Sequence, residues 1–165
     1  FNTFNKLIQT KSFDDITVLE ICQKAHVSTS SFYRHYKDKY DVMNDNYKRI
    51  LDQYMHSSQN HNFEDIFINL FKMSKELHYL KNAFDYTGIN SLGDFIYQYS
   101  YNTVIDMCKI KNIQFEDKDL LLLDVFCGGA SIMYQHYILG KYDLSPQRAG
   151  RILYQMFPEV FKVTW

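Results

Sequence analysis

The 165-residue sequence predicts an all-α protein, with a three-helix amino-terminal head and a larger helical body. Three observations carry this reading. Apolar residues recur three and four positions apart in nearly every segment. Ser, Thr, Asn or Asp stands before most of these runs, where helices take their caps. No stretch alternates as a half-buried strand would, and no internal repeat is visible. The head is placed at residues 1–46 and the body at 47–165.

The elements follow in order. Phe4, Leu7 and Ile8 set a first helix over roughly 1–11, with Phe13 closing the segment. Thr17 starts a second, with Glu20 three residues on as a capping box and Val18, Ile21, Cys22 and Ala25 as its buried stripe. The turn is His26-Val27-Ser28, with Val27 expected in the core. Ser28 caps a third helix whose buried residues are Phe32 and Tyr36. Asp38 restarts the chain as the cap of a long fourth helix reaching about His56, with Val42, Met43, Tyr47, Ile50, Leu51 and Tyr54 inward.

A polar linker follows over 57–62, and Asn62 caps the next helix. Phe63, Ile66, Phe67, Leu70 and Phe71 form its stripe, which continues through Leu77, Leu80 and Phe84 with a break near Ser74 and a stop at Thr87-Gly88. Another helix spans 91–111, through Leu92, Phe95, Ile96, Tyr99, Val104 and Met107, before a loop over 112–117. An apolar helix over 118–139 stops at Gly140. Ser145-Pro146 opens the last helix, which buries Ala149, Ile152, Leu153, Met156 and Phe157 and is disrupted at Pro158.

Composition narrows the function classes. Hydrophobic residues make up 46% and charged residues 22%, ordinary for a soluble globular chain. The 17% of aromatics fits an aromatic-lined cavity or the drift of an AT-rich genome; their ordinary core spacing favours drift as the main cause. A net charge of −1 excludes a global basic field, but over 34–39 Arg34, Lys37 and Lys39 face only Asp38. Cys22, Cys108 and Cys127 form neither a CxxC pair nor a disulfide framework, which predicts a reducing cytoplasm. No membrane-length apolar run or signal peptide is present, and the start at Phe1 inside a helical pattern predicts further residues upstream. His56 and His61 flank the linker, and His78 and His136 are lone helix residues. No nucleophile–base spacing, metal-ligand pair or phosphate loop joins them or the cysteines, so neither enzyme chemistry nor a metal or cofactor is expected.

The chemistry concentrates in residues 17–39, TVLEICQKAHVSTSSFYRHYKDK. Two short helices about a tight break, the second rich in hydroxyls, suit a helix laid in the major groove of DNA. Thr29, Ser30 and Ser31 supply small side chains that let the backbone approach the bases. Tyr33, Arg34 and His35 reach bases or phosphates, while Lys39 and the capping Thr17 add phosphate contacts. Thr29, Ser31 and Arg34 are the candidates for base readout.

The order T-x-x-x-I-x-x-x-A-x-V-S-x-x-x-F-Y-x-H-Y-K-x-K resembles the signature of the TetR family of one-component transcription regulators over Phe4 to about Tyr47. The resemblance implies a helix-turn-helix head in which Thr17, Ser28, Thr29, Ser30, Ser31, Tyr33, Arg34, His35 and Lys39 meet double-stranded DNA. Three positions depart from it: His26 stands where Gly is usual, Tyr36 where Phe is usual and Val42 where Leu is usual. His26 must therefore take up a left-handed turn with a side chain attached.

For the body, the resemblance implies a homodimer on a palindromic operator, joined through a four-helix bundle of the 118–139 and 146–157 helices. Gly128-Gly129 inside the first of these predicts close approach of another helix, across the dimer or against the core. The resemblance also implies an effector pocket, for which Tyr54, Phe67, Phe71, Tyr99, Thr103, Ser131 and Tyr134 are the candidate lining residues. The expected function is a dimeric repressor controlled by a small-molecule effector acting through the 38–56 helix. The alternative is a regulator or activator controlled by a partner protein, since the short body also resembles regulators of dihydroxyacetone-kinase operons.

Overall fold

A computed structural model describes residues 2–55, 60–77, 80–84, 88 and 90–162. Every regular element among them is helical: α1 (Asn2–Ile8), α2 (Val18–Ala25), α3 (Thr29–Tyr33), α4 (Lys39–Met55), α5 (Phe63–Glu76), α6 (Leu80–Ala83), α7 (Leu92–Ile110), α8 (Asp117–Ile138) and α9 (Pro146–Met156), then a 3₁₀ turn at Glu159–Phe161. No described helix is long and apolar enough to cross a membrane.

The caps stand where local chemistry puts them. Thr17, Ser28, Asn62, Ser91 and Ser145 each accept a backbone N–H three residues on. Asp38 Oδ1 accepts from Tyr40 and Asp41 N–H at 2.8 and 2.9 Å, opening α4. The capping box expected at Thr17 is only half formed. Glu20 turns outward to Lys11 at 2.9 Å and Lys24 at 3.6 Å, because a cross-segment ammonium competes with the weaker backbone donor. The Lys11 bond holds the Glu20 carboxyl below its ordinary range.

Among the described residues, three helices end on a left-handed residue: His26 (φ 55°), Asn112 (φ 53°) and Gly140 (φ 77°). In each, the next N–H reaches back five residues: Val27 to Cys22, Ile113 to Cys108 and Lys141 to His136, at 3.0, 2.9 and 2.9 Å. His26 thus does the work of the glycine usual in the motif and carries the strain of its Cβ. Replacing His26 by Gly is expected to stabilise the fold by about 0.5–1 kcal/mol, the left-handed relief exceeding the entropy lost by a freer unfolded chain. Urea unfolding of the two proteins measures it.

Several boundaries differ from expectation. α5 runs unbroken past Ser74, whose Oγ donates to the Phe71 carbonyl, and stops at Glu76. Leu80 then begins a separate short helix. In the linker, Asn60 is buried: its amide donates to the Tyr54 carbonyl at 2.7 Å and accepts from Asn69 at 2.8 Å, tying the end of α4 to α5. His56, His78 and Thr87 lie outside the described residues.

The main core runs continuously from the head (Phe4, Leu7, Phe13, Cys22, Phe32) through α4 (Val42, Met43, Tyr47, Leu51) into the body (Phe71, Leu92, Tyr134, Leu153). A second cluster gathers Phe63, Val104, Cys108, Leu123, Cys127, Phe157 and Phe161 at the far end. The expected boundary at residue 46 falls within α4, which belongs to both parts. α5 packs most extensively on α9, and α7 on α8. The α5–α9 crossing closes on Gly150, where an added Cβ would lie 2.6 Å from the Ile68 backbone nitrogen. Gly128 and Gly129 behave differently: among the described residues nothing lies within 4 Å of a Cβ built there, and α8 runs through them without a break. Among the described residues, then, no helix of the core approaches these glycines closely. Met156, expected inside, is 68% exposed because α9 presents only its Ala149–Leu153 side to α5.

Candidate functional site

The head's exposed edge is built on three buried anchors: Ile21 and Cys22 of α2 and Phe32 of α3. They hold the two helices about the His26 corner, so the remaining side chains of α3 project into solvent. Thr17, Ser28, Thr29, Ser30, Tyr33, Arg34 and His35 are exposed; Ser31 and Lys39 are half-buried. The nine predicted residues thus lie on α3, its two flanking turns and the starts of α2 and α4.

Hydrogen bonds order this edge. Ser28 Oγ accepts the Ser31 N–H at 3.0 Å and lies 3.1 Å from the Ser31 hydroxyl. Arg34 Nη2 donates to Ser31 Oγ at 2.9 Å, drawing the guanidinium back along the helix toward its amino end. A forked donor, small hydroxyls and free helix-end amides then share one surface. Lys39 Nζ donates to the Phe13 and Asp14 carbonyls, both at 2.9 Å, and sits 4.7 Å from the centre of the Phe13 ring. Its ammonium therefore clamps the start of α4 to the α1–α2 loop, a role not legible in the sequence, and keeps one N–H beyond those two bonds. Tyr36 is half-buried, and its hydroxyl donates to Asp45 Oδ2 at 2.9 Å. Burial, then that carboxylate, push its phenol up to about 12.

Val27 corrects an expectation: it is 45% exposed rather than in the core. As the residue after the left-handed corner it gives its N–H to Cys22, and its side chain rims a shallow cleft of about 270 Å³ beside Ile21, Ala25 and Phe32.

The body holds a small cavity of about 60 Å³ between α4, α5 and α7. Four of the seven predicted lining residues meet there: Tyr54, Phe67, Tyr99 and Thr103. Leu51, Phe63, Ile66, Leu70, Ile96, Ser100 and Val104 complete the wall. They share helix faces with the predicted four, but periodicity alone does not separate cavity wall from core. Phe71 and Tyr134 lie elsewhere, stacked edge to face at 5.5 Å in the main core. Tyr134 is fully buried, its hydroxyl 3.0 Å from that of Tyr47. Ser131 lines a separate surface groove between α7 and α8 with Tyr97, Gly128 and Ile132. Among the described residues no cluster of His, Cys, Asp and Glu is arranged to hold a metal ion.

A second surface stands out on α8. Leu121, Leu122, Val125 and Ile132 are 54–76% exposed, with Gly129 exposed between them. Their spacing places them along one face of the helix.

Residues 5–45 match the family model described as "Bacterial regulatory proteins, tetR family". One solved structure, "Dihydroxyacetone kinase operon activator DhaS", superposes with a TM-score of 0.62 over 94% of this chain and 90% of that one, at 12% identity. That likeness shows the fold, head and body together. No curated protein matches the chain in sequence. A left-handed corner, a short exposed helix and a matching family domain define a helix-turn-helix regulator of transcription that binds DNA. Residues 5–45 are thus a TetR-type DNA-binding domain at the head of the chain.

Proposed function

We propose that the chain is a dimeric repressor, working in the cytoplasm, that binds a palindromic operator and is released by a small-molecule effector. The head, residues 1–46, reads DNA; the body, 47–165, dimerises and holds the effector. The observation that carries the reading is the ordered α3 edge, where Ser28, Ser31 and Arg34 are linked and outward-facing.

Dimerisation is supported by the α8 face. Four branched apolar side chains more than half exposed on one helix form a patch that solvent disfavours and a second copy would cover. Gly128 and Gly129, open on their Cβ side, would let the partner helix approach closely. α4 supports the coupling. The head grips it through Tyr36–Asp45, α8 through Tyr134–Tyr47, and α7 through Tyr99–Asp52 at 2.6 Å. Movement of α4 would change the spacing of two heads across successive major grooves.

Selection from random duplexes with the purified protein tests the reading: inverted repeats are expected, and enrichment of isolated half-sites would refute the dimer. Val125→Glu is expected to give monomers in sedimentation and to weaken operator binding, because an unpaired carboxylate buried at an interface costs about 3–5 kcal/mol. Likeness in fold to an operon activator favours a second reading, an activator controlled by a partner protein. Transcription in vitro from a template carrying the selected operator separates the two by the sign of the response.

A further inference from the structure

Leu19, the second residue of α2, is 57% exposed. Its neighbours on the helix face other partners. Val18 packs against the main core, and Ile21 and Cys22 are buried in it. Glu20 bonds Lys11, in the loop after α1, at 2.9 Å. Leu19, about 100° round the helix from Glu20, stands clear of that brace, two positions after the capping Thr17. Among the described residues it joins neither apolar cluster.

Two other large apolar side chains of the head are exposed, and each has a local reason. Val27 rims the cleft formed with Ile21, Ala25 and Phe32. Tyr33 lies edge to face against Phe32 at 5.4 Å and carries a hydroxyl. Leu19 has neither a cleft nor a polar tip. A single exposed leucine is ordinary on a surface that stays wet. The start of α2 belongs instead to the edge that faces DNA, and in a helix-turn-helix the first helix crosses the backbone of the duplex. The major groove offers one apolar group, the C5 methyl of thymine; its other base-edge groups are donors and acceptors. That methyl projects from the side of the base nearest its own strand's backbone, where a side chain from the start of α2 arrives.

We propose that Leu19 is a specificity-determining residue that covers the C5 methyl of one thymine in each operator half-site. α3 supplies the polar readers, Thr29, Ser31 and Arg34, and α2 supplies the apolar one. The inference rests on the reading of the α2–α3 edge as the DNA face and names a base which that face prefers.

Deoxyuridine, the same nucleotide without the methyl, replaces each thymine of the selected operator in turn, in both half-sites, and fluorescence anisotropy reads the affinity. One symmetric pair is expected to matter, at about four-fold per methyl and about fifteen-fold for the two together. Leu19→Ala should respond to the same pair by less than about two-fold, the signature of a direct contact in a double-mutant cycle. Alanine suits an exposed helical position, so the fold should survive, and urea unfolding checks it. Random-duplex selection with Leu19→Ala should lose its preference for thymine at that position. An operator with no thymine whose methyl matters, or an equal loss in Leu19→Ala, would overturn the proposal. Arg34→Ala on the same duplexes separates the two ways of failing. If it is weakened while no methyl is felt, the DNA face stands and Leu19 alone leaves it; if it binds like the parent and no methyl is felt, the face itself is wrong.

Discussion

Gly150→Ala is expected to lower stability by about 1–3 kcal/mol, the usual range for overpacking a tight site. For a chain of this length that corresponds to a fall in Tm of roughly 3–10 °C. On helix propensity alone the change should stabilise by about 1 kcal/mol. The contact decides the sign. The new methyl would sit 2.6 Å from the Ile68 nitrogen and 2.7 Å from its Cα, and neither can rotate away as a side-chain tip could. α5 and α9 would have to separate along the most extensive helix pair of the body. Gly129→Ala is the control: no described residue lies within 4 Å of a Cβ built there, so the isolated chain should gain the propensity term. Thermal unfolding of both variants checks the pair, and a more stable Gly150→Ala would show that the crossing is looser than its geometry.

Arg34→Ala is expected to lower affinity for the selected operator by about 5- to 150-fold, the equivalent of the 1–3 kcal/mol carried by a forked base contact. Arg34 is exposed, and its described side-chain bond is to Ser31, so the fold should survive its loss. The pattern of the loss separates two roles. A base contact relaxes preference at one operator position, whereas a phosphate contact weakens all sequences alike and lowers the salt slope by about one. Ser31→Ala should reproduce part of the effect, since it releases the guanidinium without removing it. Anisotropy titrations over a salt series measure each case. Affinity unchanged in Arg34→Ala would remove this residue from the interface.

Much of the head was legible because its chemistry is local. A cap needs a side-chain oxygen and an N–H two or three residues away, and Thr17, Ser28 and Asp38 in the head, like Asn62 and Ser145 in the body, each meet that rule within one turn. The left-handed corner at His26 was implied by the resemblance, in which Gly is usual at that position, and the structure has it at φ 55°. Helical periodicity likewise marked Phe32, Tyr47, Phe71 and Leu153 as inward. The candidate DNA residues were legible for the complementary reason: hydroxyls and cations on a short helix have little reason to face a core.

Decisions between segments far apart in the chain were not legible. The sequence by itself determined the helices, their caps, the corner of the head and which side chains are apolar, because each depends on neighbours within about five positions. Tertiary structure alone decided that Glu20 turns to Lys11, that Lys39 grips the Phe13 and Asp14 carbonyls, and that Gly150 rather than Gly128 or Gly129 is the tight crossing within the chain. It also decided that Phe67 and Tyr99 wall a cavity while Phe71 and Tyr134 fill the core, although all four repeat at the same helical spacing. A period of 3.6 residues tells a side chain to leave water; only the packed neighbour determines whether it meets another atom or an empty space.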